Sequence, residues 1–176
     1  RVLGEVRYGA APRSGPAQWP LAWVQAPPLG SGSETLGEVW LSRAPVESGI
    51  AERIAYRRTE DLLFGVATET EAASGLGSTA PLQRAAAAGY SRIFALMDGL
   101  GFPRLARAWN YFADINREDR GLERYRHFNA GRQDAFFATR HSLTSGVPAA
   151  CALGVSGQPL TTAFLPPRGT AVAIEN

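Results

Sequence analysis

Lysine is missing from this chain: all 18 basic positions of its 176 residues are arginine. Cysteine occurs once, at Cys151, which excludes an intrachain disulfide or a multi-cysteine metal site and fits a reducing compartment. Its apolar neighbours place Cys151 in an inert core strand. Histidine occurs twice, so histidine-based metal or acid–base chemistry has little to work with. His127 reads as a water-facing position on an arginine-rich helix, and His141 as a solvated or dipole-complementing group past the end of that helix. No apolar run approaches the roughly 20 residues that cross a bilayer, and the N-terminus shows no basic, apolar, small-residue leader pattern, so no membrane is expected and the reading is cytoplasmic. The net charge is only +2, and the longest basic run is Arg57-Arg58, too thin a footprint for nucleic acid. Ser74-Gly75-Leu76-Gly77-Ser78 precedes a helix but lacks the spacing and the lysine of a phosphate-binding loop, and reads as a plain loop. Paired carboxylates, metal clusters and a catalytic triad are likewise lacking, so neither metal nor organic cofactor is expected.

What is present is enough apolar content, 45%, for one domain spanning residues 1–176 with its own core. Residues 1–50 read as an irregular strand-and-loop extension. Within them Val2–Tyr8, Leu21–Gln25 and Leu36–Ser42 are short β-prone runs, separated by loops rich in proline, glycine and serine such as Ala26–Thr35. Arg53–Arg58 and Leu62–Glu69 flank Thr59-Glu60-Asp61 as an antiparallel hairpin. A helix follows, capped by Ser78 or Thr79, with Pro81 in its first turn. Leu82, Ala86, Gly89, Ile93, Leu96 and Leu100 mark its apolar face, and Gly101 and Pro103 end it. A strand over Ala106–Ile115 leads to a second helix over Asp119–Thr139, with Asp119 placed to complement the helix dipole. Ala149–Val155, Leu160–Leu165 and Thr170–Glu175 close the chain as strands. Strands, helix, strand, helix, strands predict an α+β fold, a mixed sheet with two helices on one face.

The stretch from Arg107 to Arg132 stands apart, because bulky aromatics, amides and arginines sit where a plain core would be aliphatic. Helical spacing predicts one stripe through Leu122, Tyr125, Asn129, Arg132 and Phe136, which sets an amide and a guanidinium among apolar neighbours. Burying a neutral polar group without a partner costs roughly 1–3 kcal/mol, and a charge costs more, so each needs an internal acceptor or a ligand. Tyr111 can hydrogen-bond a carboxylate or ether oxygen while its ring packs on a planar substrate. A core tyrosine with one hydrogen bond is the plainer alternative. Arg132 is a candidate anion clamp, against a structural ion pair, and Arg124 and Arg126 fall on different sides of the same helix. Trp109 and Phe112 point to opposite faces of their strand and read as core.

Trp109-Asn110-Tyr111, Ile115-Asn116, Gly121-Leu122-Glu123-Arg124-Tyr125, Phe128-Asn129 and Gly131-Arg132 together resemble the N-terminal half of bacterial chorismatases. Leu3-Gly4-Glu5-Val6 and Ala173-Ile174-Glu175-Asn176 resemble the same family at the two ends. The resemblance implies a RidA/YjgF-like (chorismate-mutase-like) fold and a role as the N-terminal half of a two-domain enzyme. A chain that starts at Arg1 rather than methionine agrees with being a piece of something longer. The implied activity is cleavage of the enolpyruvyl ether of chorismate to pyruvate plus a dihydroxycyclohexadiene carboxylate or a hydroxybenzoate, without cofactor. The family's general acid belongs to the C-terminal half, so no catalytic residue is assigned in this chain. Tyr111, Arg124, Asn129 and Arg132 are the substrate-binding candidates, the absent C-terminal domain is the expected partner, and an oligomer is left open. A RidA-like enamine/imine deaminase is the alternative, but that family's carboxylate-binding arginine follows a Pro-Ala pair, and here Pro148-Ala149 precedes Ala150. A RidA-fold binding module without catalysis is the third reading.

Overall fold

The structure is a computed structural model, described for residues 1–9, 17–26, 35–72, 79–139, 141 and 148–169. The strands are β1 (Val2–Tyr8), β2 (Leu21–Val24), β3 (Leu36–Leu41), β4 (Glu47–Ala51), β5 (Ile54–Arg58), β6 (Leu63–Glu69), β7 (Arg107–Ala113), β8 (Glu118–Asp119), β9 (Leu122–Glu123), β10 (Ala149–Val155) and β11 (Leu160–Leu165). The helices are α1 (Pro81–Leu100) and α2 (Arg124–Ala138). The main sheet has six strands in the order β10-β7-β11-β6-β5-β4. It is antiparallel except where β10 lies parallel to β7. A smaller sheet runs β2-β1-β3, and β8 pairs with β9 in a two-stranded ladder.

Both helices cover one face of the main sheet, as the order of elements predicts. Their core joins Leu82, Tyr90, Ile93, Phe94, Phe128 and Phe136 to Leu63, Ala108, Phe112 and Phe164 of the strands. The small sheet covers the other face, where Leu3, Val6, Ala22 and Val24 meet Phe64, Val66, Trp109, Tyr111 and Ala163. This corrects the reading of residues 1–50 as an irregular extension: β1, β2 and β3 form an ordered third layer, and β4 joins the main sheet. A strand covered on both faces is apolar along its whole length, not alternately, which is why β6 and β7 are buried at nearly every position. Phe112 faces the helices and Trp109 the small sheet, the opposite orientations that alternation along a strand requires.

The cap of α1 is Ala80, with no side-chain hydrogen bond, so Thr79 does not serve there; Ser78 lies outside the described residues. Pro81 occupies the first turn, where its missing N–H costs nothing, and Gly101 ends the helix in the left-handed region at φ 72°. Helix α2 starts at Arg124, five residues later than expected from Asp119, because residues 118–123 turn back on themselves as β8 and β9. Its buried face runs through Arg124, His127, Phe128, Gly131, Ala135 and Phe136. The predicted stripe is therefore rotated: Tyr125 is exposed, while Asn129 and Arg132 are half-buried at the margin. At Gly131 an added Cβ would lie 2.0 Å from the Gln83 carbonyl oxygen, so the absence of a side chain sets the approach of α2 to α1. Cys151 is exposed on β10, and both histidines are buried, reversing the three readings made for them. The Ser74–Ser78 loop, the Thr170–Glu175 strand and the final Ala173–Asn176 lie outside the described residues.

Candidate functional site

Strand β7 carries consecutive residues to opposite sides of the main sheet, and this decides what the candidate residues can do together. Tyr111 points toward the small sheet, whereas Arg124, Asn129 and Arg132 belong to α2 on the helical side. The four do not meet in one hollow. Tyr111 shares a hydrogen bond with Tyr8, oxygen to oxygen 3.0 Å, and burial pushes its phenol well above the usual tyrosine range.

Asn110, between Trp109 and Tyr111, is fully buried and its amide is in use. The Tyr90 and Thr162 hydroxyls donate to its oxygen at 2.9 and 3.1 Å, and its nitrogen donates to the Cys151 carbonyl at 2.9 Å. Arg132 lies over the Phe128 ring at 5.8 Å from its centroid. Burial raises the pKa of the neighbouring Tyr90 phenol, and the positive charge of Arg132 partly offsets that rise. The Arg124 guanidinium donates to both carboxylate oxygens of Glu71, at 2.9 and 2.5 Å, and its Nε donates to the Ala113 carbonyl at 3.1 Å. The Glu71 bond and charge push the Arg124 pKa above the ordinary arginine value. His127 donates through Nε2 to the Asp119 carbonyl at 2.8 Å, while His141 bonds Asp98 at 2.9 Å and stacks on Phe94.

An open cleft of about 460 Å³ lies at the C-terminal end of β7, lined by Gln25, Ala26, Asp114, Ile115, Asn116, Arg117, Gly154, Val155 and Ser156. Three segments build it: the turn after β7, the end of β10 and the residues after β2. Asp114 enters the turn with φ 54°, a left-handed conformation that Asp tolerates better than bulkier residues, and Arg117 N–H closes it onto the Asp114 carbonyl at 2.9 Å. Arg124 holds the turn from behind through its N–H to the Arg117 carbonyl, 2.9 Å, and through Ala113. Across the cleft, Ser156 N–H donates to the Gln25 carbonyl at 3.2 Å, and the buried Gln158 accepts from Gln25 N–H at 2.7 Å. Gly154 keeps the floor low, since a Cβ there would lie 2.5 Å from Ile115 Cγ2.

The cleft brings together a guanidinium, two amides and a hydroxyl, donors suited to a hydroxylated carboxylic acid. The carboxyl group in its lining, Asp114, is ion-paired with Arg117 at 3.0 Å. Among the described residues no group of three His, Cys, Asp or Glu could hold a metal ion. The sequence flagged Ile115-Asn116 in this region but missed Asp114, Arg117, Gln25 and Ser156. The available signal was a polar turn directly after a strand that is apolar except at Arg107 and Asn110.

The chain matches the family model described as "Chorismatase FkbO/Hyg5-like, N-terminal" over residues 38–166. It is 40% identical over 145 residues to a chorismatase of Streptomyces rapamycinicus, covering 81% of this chain and 41% of that one. A 3-hydroxybenzoate synthase of Streptomyces hygroscopicus is 32% identical over 146 residues, 82% of this chain and 41% of its own. The crystal structure of a chorismatase superposes with a TM-score of 0.79 at 34% identity, over 97% of this chain and 49% of that one. The chain thus spans less than half the length of these relatives.

Proposed function

Because this chain belongs to the chorismatase FkbO/Hyg5-like N-terminal family, we propose that it is the N-terminal half of a chorismatase-type enzyme that cleaves the enolpyruvyl ether of chorismate. The products are pyruvate and either a dihydroxycyclohexadiene carboxylate or a hydroxybenzoate. The family match supports this reading over an imine deaminase or an inert binding module. It runs through the main sheet, both helices and the cleft residues Asp114–Arg117 and Gly154–Ser156.

The chemistry is a protonation followed by an addition. A general acid delivers a proton to the methylene carbon of the enol ether, which leaves the ether carbon electrophilic. Water adds to that carbon, and the resulting hemiketal collapses to pyruvate and the dihydroxycyclohexadiene carboxylate; where the product is a hydroxybenzoate the ring also loses one water, so that none is consumed overall. Proton and water suffice, so the reaction as written uses no cofactor. Among the described residues we name no candidate for the acid, and we assign it to the second half of the longer polypeptide.

The contribution of the present half is binding. Arg117, Asn116 and Ser156 face the cleft and are placed to hold a carboxylate and hydroxyl groups, with Arg124 as a positioning residue for their turn. Tyr111 acts through Tyr8 from the opposite layer, and Asn129 and Arg132 serve at the margin of α2. A cytoplasmic setting belongs to the same reading, supported by the exposed free thiol of Cys151. The described helices include none long and apolar enough to cross a membrane.

The test is pyruvate release from chorismate by the longer polypeptide, followed with a coupled dehydrogenase. Stoichiometric pyruvate without added cofactor is the expected result. No pyruvate at saturating chorismate would overturn the assignment.

A further inference from the structure

The main sheet ends on one side in β10, a strand with none of the usual protection of a sheet edge. Its seven residues, AACALGV, include no charge and no proline, and five of them are exposed. It runs alongside β7 in unbroken register from Ala149 to Val155. Ala149 N–H donates to the Ala106 carbonyl at the start of this ladder. In a parallel pair alternate residues face the partner, so Ala150, Ala152 and Gly154 turn their N–H and C=O groups away from β7. Among the described residues nothing pairs with that far side. The opposite edge, β4, carries Glu47, ion-paired with Arg58, and the edge strand β3 carries Glu38. Charges, prolines and bulges are how proteins keep edges from pairing, and a long apolar edge without them is a template for another strand.

We propose that β10 is a docking edge, to which a strand from the second half of the longer chorismatase-type polypeptide adds, extending the six-stranded sheet across the junction of the halves. The inference rests on the reading that this chain is one half of such a polypeptide. Three observations select that occupant. The matched chorismatase structure holds about as much chain again outside the part aligned here, since the match covers 49% of it. The uncharged edge suits an extended strand of neutral surface and offers nothing to a nucleic acid or a charged peptide. Strand β10 also lines the cleft through Gly154 and Val155, so a partner along it walls the open side and brings its acid within reach. Tethering strengthens the case: a linked partner acts at about millimolar effective concentration, so one added strand suffices where a free partner would need a large interface.

Amide exchange over residues 148–156, read by mass spectrometry with fragmentation, is compared between the longer polypeptide and the 176-residue chain. Exchange at Ala150, Ala152 and Gly154 is expected to slow by about 100-fold or more in the longer form, with alkylation of Cys151 slowing alongside. Ala152→Pro removes an outward N–H and no bond to β7, so it should abolish protection in the longer form; melting of the 176-residue variant reads separately what the ring costs at a side chain packed against the helix-side core. Leu153→Lys, at a side chain already 46% exposed, makes the same comparison without touching the backbone. Equal exchange rates in the two forms overturn the proposal: if both are fast, nothing docks, and if both are slow, this chain already covers its own edge. Protection that survives both substitutions also overturns it. Pyruvate release without protection leaves the enzymatic reading standing and the docking edge refuted, whereas protection without pyruvate does the reverse.

Discussion

Tyr8 and Tyr111 belong to different sheets, yet their phenol oxygens lie 3.0 Å apart, with rings in an edge-to-face pair whose centroids are 6.1 Å apart. One hydroxyl donates to the other across the layer boundary. Tyr111 is buried and Tyr8 is half-buried, so Tyr8 is the route by which Tyr111 influences anything outside the core.

Tyr111→Phe and Tyr8→Phe should each cost about 1 kcal/mol of stability, the net worth of one hydrogen bond. The double variant should cost little more than either single one, because both delete the same interaction. Urea unfolding of the four proteins gives the coupling, and full additivity would show that the pair does not interact. In the longer polypeptide, Tyr111→Phe should also slow pyruvate release.

Alkaline pH should weaken the fold through the tyrosines. Burial raises the phenol pKa of Tyr90 and Tyr111 in the folded state, while the unfolded chain ionises near pH ~10. Their contribution is therefore present in full below about pH 10 and is lost as pH climbs from there toward the folded value. Urea midpoints measured on both sides of pH ~10 should fall with pH, and less steeply in Tyr111→Phe. An identical slope in the variant would remove Tyr111 from the account.

Glu71→Ala should be among the costlier single changes, because its partner Arg124 lies on the buried face of α2. It leaves the Arg124 guanidinium buried without its carboxylate, and breaking such a pair costs about 3–5 kcal/mol. Glu47→Ala removes the partner of Arg58 at the sheet edge, where Glu47 is mostly exposed, and should cost under about 1 kcal/mol. Thermal melting of the two variants side by side checks the contrast. Equal losses would mean that the Arg124 site is as wet as the edge.

Two glycines in the helices should respond in opposite directions to alanine. Gly131→Ala drives a Cβ into the Gln83 backbone of α1, and overpacking of this kind costs about 1–3 kcal/mol even after the gain in helix propensity. Gly99→Ala meets nothing within 4 Å and should stabilise by up to about 1 kcal/mol. Melting temperatures that move the same way for both would contradict the close helix contact.

Arg117→Ala in the longer polypeptide should raise KM for chorismate about tenfold or more, as expected for losing one charge-assisted contact of about 1.5–3 kcal/mol. Because Arg117 is largely exposed, thermal stability should barely change. A wild-type KM would take Arg117 out of the binding site.

Local pattern was enough for most of the elements. The hairpin of β5 and β6, the strands β7, β10 and β11, and the proline and glycine that bracket α1 are all legible in the sequence, because period, turn residues and caps act within a few positions. β4 was not, since Glu47-Ser48-Gly49-Ile50-Ala51 carries little apolar signal and becomes a strand by pairing with β5. Helix α2 was placed too early because Asp119 and Leu122 resemble a helix start until β8 and β9 pair.

The candidate site shows the same division more sharply. Helical spacing placed the need for partners on Asn129 and Arg132, whereas the amide and guanidinium that the fold actually buries, and that are too costly to keep unpaired, are those of Asn110 and Arg124. Their partners turned out to be Tyr90, Thr162 and Glu71, which lie 20, 52 and 53 residues away, so the same rule satisfied by protein looked like a demand for a ligand. By itself the sequence determined the class of fold, the family and the need for polar pairing inside it, since these follow from residue type and near-neighbour spacing. Tertiary structure alone decided that Tyr111 and Arg132 lie on opposite faces of one sheet, that the open cleft sits at the turn after β7, and that β10 is an edge with no second neighbour among the described residues. Those outcomes depend on which strands become neighbours, and strand pairing is a long-range choice that no local stretch of residues encodes.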